Sequence, residues 1–212
     1  LTLGCMLLFR EPGPVQPLPA VTPYPDAETG SASLYFTRPY MPSSENLRGG
    51  PDEALAEAIL SAQDSVDMAI YNLTLWSIRD ALLAAASKGS HVRVVTEANN
   101  LDSPEIRSLQ LAGIPVKSDD RDHLMHHKFT VIDEQEVWTG SMNYTVRGAY
   151  HNNNHMIRIF SSEIAADYTH EFEEMFVDDA FGQLSLTDTP FPETMLGDVW
   201  VEVYFSPDEG KV

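Results

Sequence analysis

The stretch "HHKFTVIDEQEVWTGSMN", His126 to Asn143, holds two imidazoles, an ammonium, carboxylates, three hydroxyls and two amides within eighteen residues. An imidazole can attack phosphorus as a nucleophile. Lys, Ser and Asn donors suit the non-bridging oxygens of a phosphoryl group whose charge grows in the transition state. If the first part is a strand, residues two apart share a face, so His126 and Lys128 project together while His127 and Phe129 point away. Asp133 falls where that strand meets the turn "DEQE", and the return strand "VWTG" carries Ser141 and Asn143 back beside His126 and Lys128. A zinc site of His123, His126 and His127 would need adjacent histidines to converge, and in a strand they face opposite ways. Cys5 is the only cysteine, which removes an internal disulfide and a Cys-based zinc site. No metal and no other cofactor is expected, because no carboxylate cluster for a metal accompanies the hairpin.

The elements that must position this hairpin alternate along the chain. "GGPDEALAEAILSAQ" has Pro51 at a first helical position and acids in the first turn, and reads as an amphipathic helix. "SVDMAIY" alternates as a strand. "SIRDALLAAASKG" reads as a helix capped by Ser77, "HVRVVTE" as a strand, and "SPEIRSLQLAG" as a short helix capped by Ser103. "IPVK", "KFTVID", "EVWTG" and "HMIRIF" follow as strands, and "SEIAADYTHEFEEMF" closes as a helix. The order predicts an α/β fold, a mixed, largely parallel sheet with helices on both faces. Trp76 and Trp138 are expected in its core. His91, His151 and His170 read as strand-end or surface residues.

The pattern His126-x-Lys128-x4-Asp133-x6-Gly140-Ser141-x-Asn143 resembles the HKD motif of the phospholipase D superfamily. The similarity covers roughly Ser33 to Phe176. It implies the phospholipase D-like fold and a covalent phosphohistidine mechanism without metal. His126 would be the nucleophile, Lys128, Ser141 and Asn143 would hold the phosphate, and Asp133 would orient neighbouring groups. The family also implies two cassettes per active site. Chemistry asks for the same thing, since one imidazole attacks while another protonates the leaving oxygen. This sequence holds one copy, so the second is expected either beyond Val212 or from a homodimer paired about a two-fold axis. "VEVYFSP", Val201 to Pro207, echoes "SLYFTRP", Ser33 to Pro39, and reads as the start of a second repeat. One departure stands out: similar single-cassette nucleases carry a glutamate where this chain has Asn154. A carboxylate there would steady the nucleophile's other ring nitrogen, and an amide brings no charge. Arg147 is a candidate extra anion contact.

The organisation expected is a leader and linker over residues 1–32, a catalytic domain over 33–180, and an acidic connector opening a second repeat over 181–212. "LTLGCMLLF" is uncharged and suits the end of an export or anchor segment, and Glu11 to Gly30 carries six prolines, which favours an extended tether. An extracytoplasmic, secreted or membrane-anchored location follows as the expectation.

The leading functional reading is a metal-independent phosphodiesterase of the phospholipase D type, hydrolysing or transferring a diester such as a phospholipid head group. With 13 Lys+Arg against 32 Asp+Glu in 212 residues, the formal charge is −19, which repels polyanions. A nuclease using the same site is the alternative, with Arg121, His123, Lys128, Arg147 and Arg158 as a local basic island. A catalytically degenerate binding or scaffold module is the reading from another class, supported by Asn154 alone.

Overall fold

The computed structural model describes residues 29–119 and 124–207. The leader, most of the proline-rich linker, Arg121 and His123 lie outside the described residues.

Seven strands form one sheet: β1 Ser31–Phe36, β2 Ser65–Ile70, β3 His91–Glu97, β4 Val116–Asp119, β5 Lys128–Ile132, β6 Glu136–Gly140 and β7 His155–Phe160, in spatial order β1-β7-β6-β5-β2-β3-β4. Parallel pairing joins β2, β3 and β4, whose crossovers carry helices α3 Trp76–Lys88 and α4 Pro104–Leu111. The other pairings are antiparallel. Two antiparallel steps restore direction, so β1, β2, β3, β4 and β6 run one way and only β5 and β7 run against them. This is the mixed, largely parallel sheet expected. Asp133 and Glu134 close the β5–β6 hairpin, each with φ 53°, the signature of a turn whose twist matches its strands.

β2 shows why both faces are covered. Val66, Met68 and Ile70 point into a core shared with α2 Pro51–Ser61, α3 and α4, while Ala69 points to the opposite core, beneath α6 Ser162–Phe176. Phe129, Val131, Val137 and Phe172 fill that second core. Alternate strand residues therefore serve opposite layers, and neither layer could be exposed without loss of apolar burial.

Helix ends follow the sequence with one exchange. Ser103 caps α4, its hydroxyl accepting the Ile106 N–H, and Pro51 opens α2. Ser77 does not cap α3: Leu75 holds that position without a side-chain bond, and the Ser77 hydroxyl donates to Asp52 Oδ2 at 2.6 Å. Asp52 is buried, so a donor there offsets a desolvation cost larger than a cap is worth. Trp76 is also not a core residue. It is 66% exposed, its indole N–H bonded to Glu105 and Arg79 stacked on its ring, whereas Trp138 is 1% exposed. Two short helices, α1 Pro42–Glu45 and α5 Val146–Tyr150, are too brief for apolar periodicity to reveal.

Beyond α6 the chain forms a separate hairpin, β8 Glu193–Leu196 with β9 Val199–Glu202. Carboxylates of α6 fasten it. Asp167 accepts the Phe191 N–H at 2.7 Å, and Glu174 accepts the Ser185 hydroxyl at 2.6 Å and the Leu186 N–H at 2.8 Å. Val203 and Phe205, in the stretch that echoes β1, are buried in the α6 core of this same domain. Among the described residues no helix is long and apolar enough to cross a membrane.

Candidate active site

The ends of β2, β3 and β6 and the starts of β5 and β7 meet at one edge of the sheet, because Ile70 pairs with Lys128, Phe129 with Thr139 and Gly140 with Met156. His126 and His127 lie in the extended segment just before β5 rather than within it, yet they keep the expected alternation. On one side, the exposed His126 ring meets Tyr71 edge-on at 5.0 Å between centroids. Lys128 Nζ lies 5.7 Å from the centre of the same Tyr71 ring and donates to the His126 carbonyl at 2.9 Å. On the other side, His127 Nε2 lies 3.0 Å from the buried Glu171 carboxylate, with Phe129 and Phe205 against its ring.

Partial desolvation of this largely exposed ring, then the charges of Lys128 and His127, hold the His126 imidazole below its ordinary pKa, against the opposing pull of Glu97. The shift favours the neutral ring, which keeps a lone pair. Burial pushes the Lys128 ammonium down to about 8. Among the described residues no carboxylate forms an ion pair with Lys128.

Ser141 stands across the hairpin. Its hydroxyl donates to Asn154 Oδ1 at 3.0 Å, accepts the His155 N–H at 3.1 Å and lies 3.2 Å from His155 Nδ1. Asn154 thus braces Ser141, and its own amide donates to the Gly148 carbonyl at 2.9 Å. Its described contacts are with Ser141, Gly148 and Thr37, and not with the nucleophile candidate: the β6–β7 register places the start of β7 beside Ser141. Gly140 permits this closeness. A Cβ there would meet the His155 carbonyl oxygen at 2.4 Å, and its φ is 148°.

Asn143 is half-buried, and its Oδ1 is buried without a hydrogen-bond partner. Arg147 is exposed on α5 and is not part of the cavity wall. Asp133 does not join the others. It follows the far end of β5, and five strand residues span about 17 Å. Its carboxylate accepts the backbone N–H groups of Gln63, Asp64 and Ser65 at 3.0, 2.8 and 2.9 Å, clamping the hairpin turn to the approach of β2.

A cavity of about 1120 Å³ opens at this edge. His126, Lys128 and Ser141 form one side, Tyr168 and Glu171 of α6 another, and Phe181 and Phe205 of the connector a third. The sequence reading missed Tyr71, His155, Glu171 and the connector wall. A signal existed for Glu171: Tyr168, Phe172 and Met175 form an apolar stripe on α6, and Glu171 is the carboxylate set within it.

Of the basic island proposed for a nuclease, Arg158 is bound to Glu136 by two hydrogen bonds of 2.9 and 2.8 Å and lies against Trp138. His170, Glu174 and Asp188 bring potential metal ligands within 4.8 Å of one another, but His170 pairs with Asp188 and both Glu174 oxygens receive donors from the connector. This group serves as a fastening.

Comparison with known proteins agrees with the geometry. Residues 55–176 match the family model described as cardiolipin synthase, PLD-like domain. The chain is 32% identical over 120 residues to mitochondrial cardiolipin hydrolase of Xenopus tropicalis, covering 56% of this chain and 57% of that protein. It is 31% identical over 121 residues to a phospholipase D of Rickettsia conorii, covering 56% and 60%. The chain therefore spans little more than half the length of these relatives. Among solved structures it shares the fold of Nuc, a phospholipase D family member from Salmonella typhimurium, with TM-score 0.59, 23% identity, and coverage of 68% of this chain and 92% of that one.

Proposed function

This chain belongs to the family of phospholipase D-like domains, and from that premise we propose that it is a metal-independent phosphodiesterase that cleaves a phospholipid head group or a related diester. A ring nitrogen of His126 attacks phosphorus, forming a P–N bond while a P–O bond breaks and the leaving oxygen takes a proton. Water, or an alcohol in a transfer reaction, then displaces His126 and restores the imidazole. Lys128 and Ser141 hold the non-bridging oxygens, and Asn154 and His155 fix the Ser141 hydroxyl. The leaving oxygen's proton comes from a second imidazole, in another copy of the cassette.

The observation that carries this reading is geometric: His126 and Lys128 lie on one side at the start of β5, both against the Tyr71 ring, and Ser141 lines the same cavity. The test is hydrolysis of bis(p-nitrophenyl) phosphate, phospholipid vesicles and single-stranded DNA in excess chelator, with His126→Ala as control and acid-labile phosphoenzyme trapped by quenching. Cleavage of the model diester and lipid that disappears in the variant supports the proposal. Cleavage confined to DNA makes the chain a nuclease, and a rate unchanged in His126→Ala refutes the mechanism.

A further inference from the structure

We propose that Glu97, at the end of β3, is a positioning residue for His126: it anchors the chain that carries the imidazole and supplies the negative charge facing that ring as it attacks. The inference rests on the proposed function for the identity of the nucleophile and names a residue outside the motif that marks the site.

The turn that ends β3 carries it. Glu97 is 2% exposed. Its Oε2 accepts the N–H of Met125, the residue before His126, at 2.7 Å, and its Oε1 accepts the Asn99 side-chain amide at 2.9 Å. Asn100, in the same turn, donates to the Tyr71 carbonyl at 2.7 Å, and Tyr71 is the ring that His126 meets edge-on. The Tyr71 N–H in turn bonds the His127 carbonyl at 3.0 Å. One turn, Glu97 to Asn100, therefore grips both the chain leading into the nucleophile and the residue its ring rests against. Among the described residues Glu97 forms no ion pair, so its two donors are neutral amides. A buried carboxylate in that state is costly, and a nearby ring that gains positive charge offsets the cost. His126 gains such charge when its nitrogen gives an electron pair to phosphorus and the P–O bond breaks. Lys128 and His127, on its own segment, oppose that charge, whereas Glu97 favours it. The other titratable groups at this end of the sheet are engaged elsewhere: His155 lies against Ser141, and Glu171 faces His127. Asn154, an amide, bonds Ser141 and Gly148 and brings no charge.

Glu97→Gln removes the charge with little change of shape. The new amide oxygen still accepts the Met125 N–H, and Asn99 can turn its own oxygen to the new NH2. In proton NMR titrations of the full chain, the His126 ring signal, assigned by its absence from His126→Ala, titrates at lower pH in Glu97→Gln than in the wild type. On bis(p-nitrophenyl) phosphate, kcat falls roughly tenfold while KM hardly moves. Glu97→Asp keeps the charge but draws it back by one methylene; it falls between the two in both readings, and it decides the matter if Glu97→Gln fails to fold. A His126 titration that is the same in the wild type and in the folded variants overturns the proposal, and a lower kcat alongside that unmoved titration leaves Glu97 a structural support only. The titration needs no turnover. A chain that cleaves no diester yet shows the shift loses the catalytic reading and keeps the coupling of Glu97 to His126, whereas activity that depends on His126 with a titration indifferent to residue 97 removes this inference alone.

Discussion

His126 and Lys128 titrate on opposite sides of neutrality, and the sign of the pH dependence follows from their directions. Attack needs the neutral imidazole, so kcat/KM falls as pH drops through a His126 pKa already below its usual value. Phosphate binding needs the ammonium, so the rate falls again as pH rises through about 8. Lys128→Arg carries a guanidinium that does not titrate in this range, and the alkaline limb should vanish from its profile even though its rate is lower. A limb still near 8 in that variant would assign it to another group. Ser141→Ala removes one prearranged donor and should cost roughly 10²-fold in kcat, measured on the model diester. At this scale the sequence was legible where strand alternation alone decides, as for His126, His127 and Lys128. It did not show what Asp133 and Asn154 bind, because their partners, the Gln63–Ser65 amides and the Ser141 hydroxyl, are fixed by tertiary register and not by residue type.

Elements carry a different set of consequences. The Asp133 clamp joins the hairpin turn to the approach of β2, and its loss leaves three backbone donors to water. Asp133→Ala should lower stability by about 2–4 kcal/mol in chemical denaturation, while kcat per folded molecule is kept. Gly140→Ala should act the other way round: its Cβ pushes on the His155 carbonyl and displaces Ser141, so activity falls further than the midpoint of unfolding does. His170 ties the connector to α6. Burial disfavours its charge, but the hydrogen bond and charge of Asp188 outweigh burial and raise its pKa. The raised value means stabilisation present in full below the unfolded pKa of about 6.5 and lost as pH rises through the folded one. Hydrogen exchange over residues 182–191 should therefore differ between the wild type and His170→Ala at pH 5.5 and converge at alkaline pH. Long amphipathic helices and alternating strands were readable from period alone. Ser77 and Trp76 were not, because Asp52 and Glu105, which set their positions, lie on other helices.

The described residues build one seven-stranded sheet with a core on each face and the candidate site at one end of its strands, and a family whose pattern spans a few fixed residues is recognisable from those residues alone. Substrate choice was not readable, since the cavity walls come from α6 and from a connector that shows no motif. If a second copy supplies the second imidazole, rate per molecule should rise with protein concentration and follow the dimer fraction seen by sedimentation. A rate per molecule that stays constant across a range where the dimer dissociates would place that imidazole elsewhere.

The division of labour around the cavity has a consequence for how such enzymes diversify. The hairpin holds the groups proposed for bond breaking, while Phe181 and Phe205 belong to a stretch fastened to α6 by side-chain bonds rather than woven into the seven-stranded sheet. That stretch can be traded without touching the nucleophile. A chimera carrying another family member's residues 178–207 would inherit that donor's taste in substituents while keeping its own reaction, and new specificities could arise by grafting this wall and not by rebuilding the catalyst.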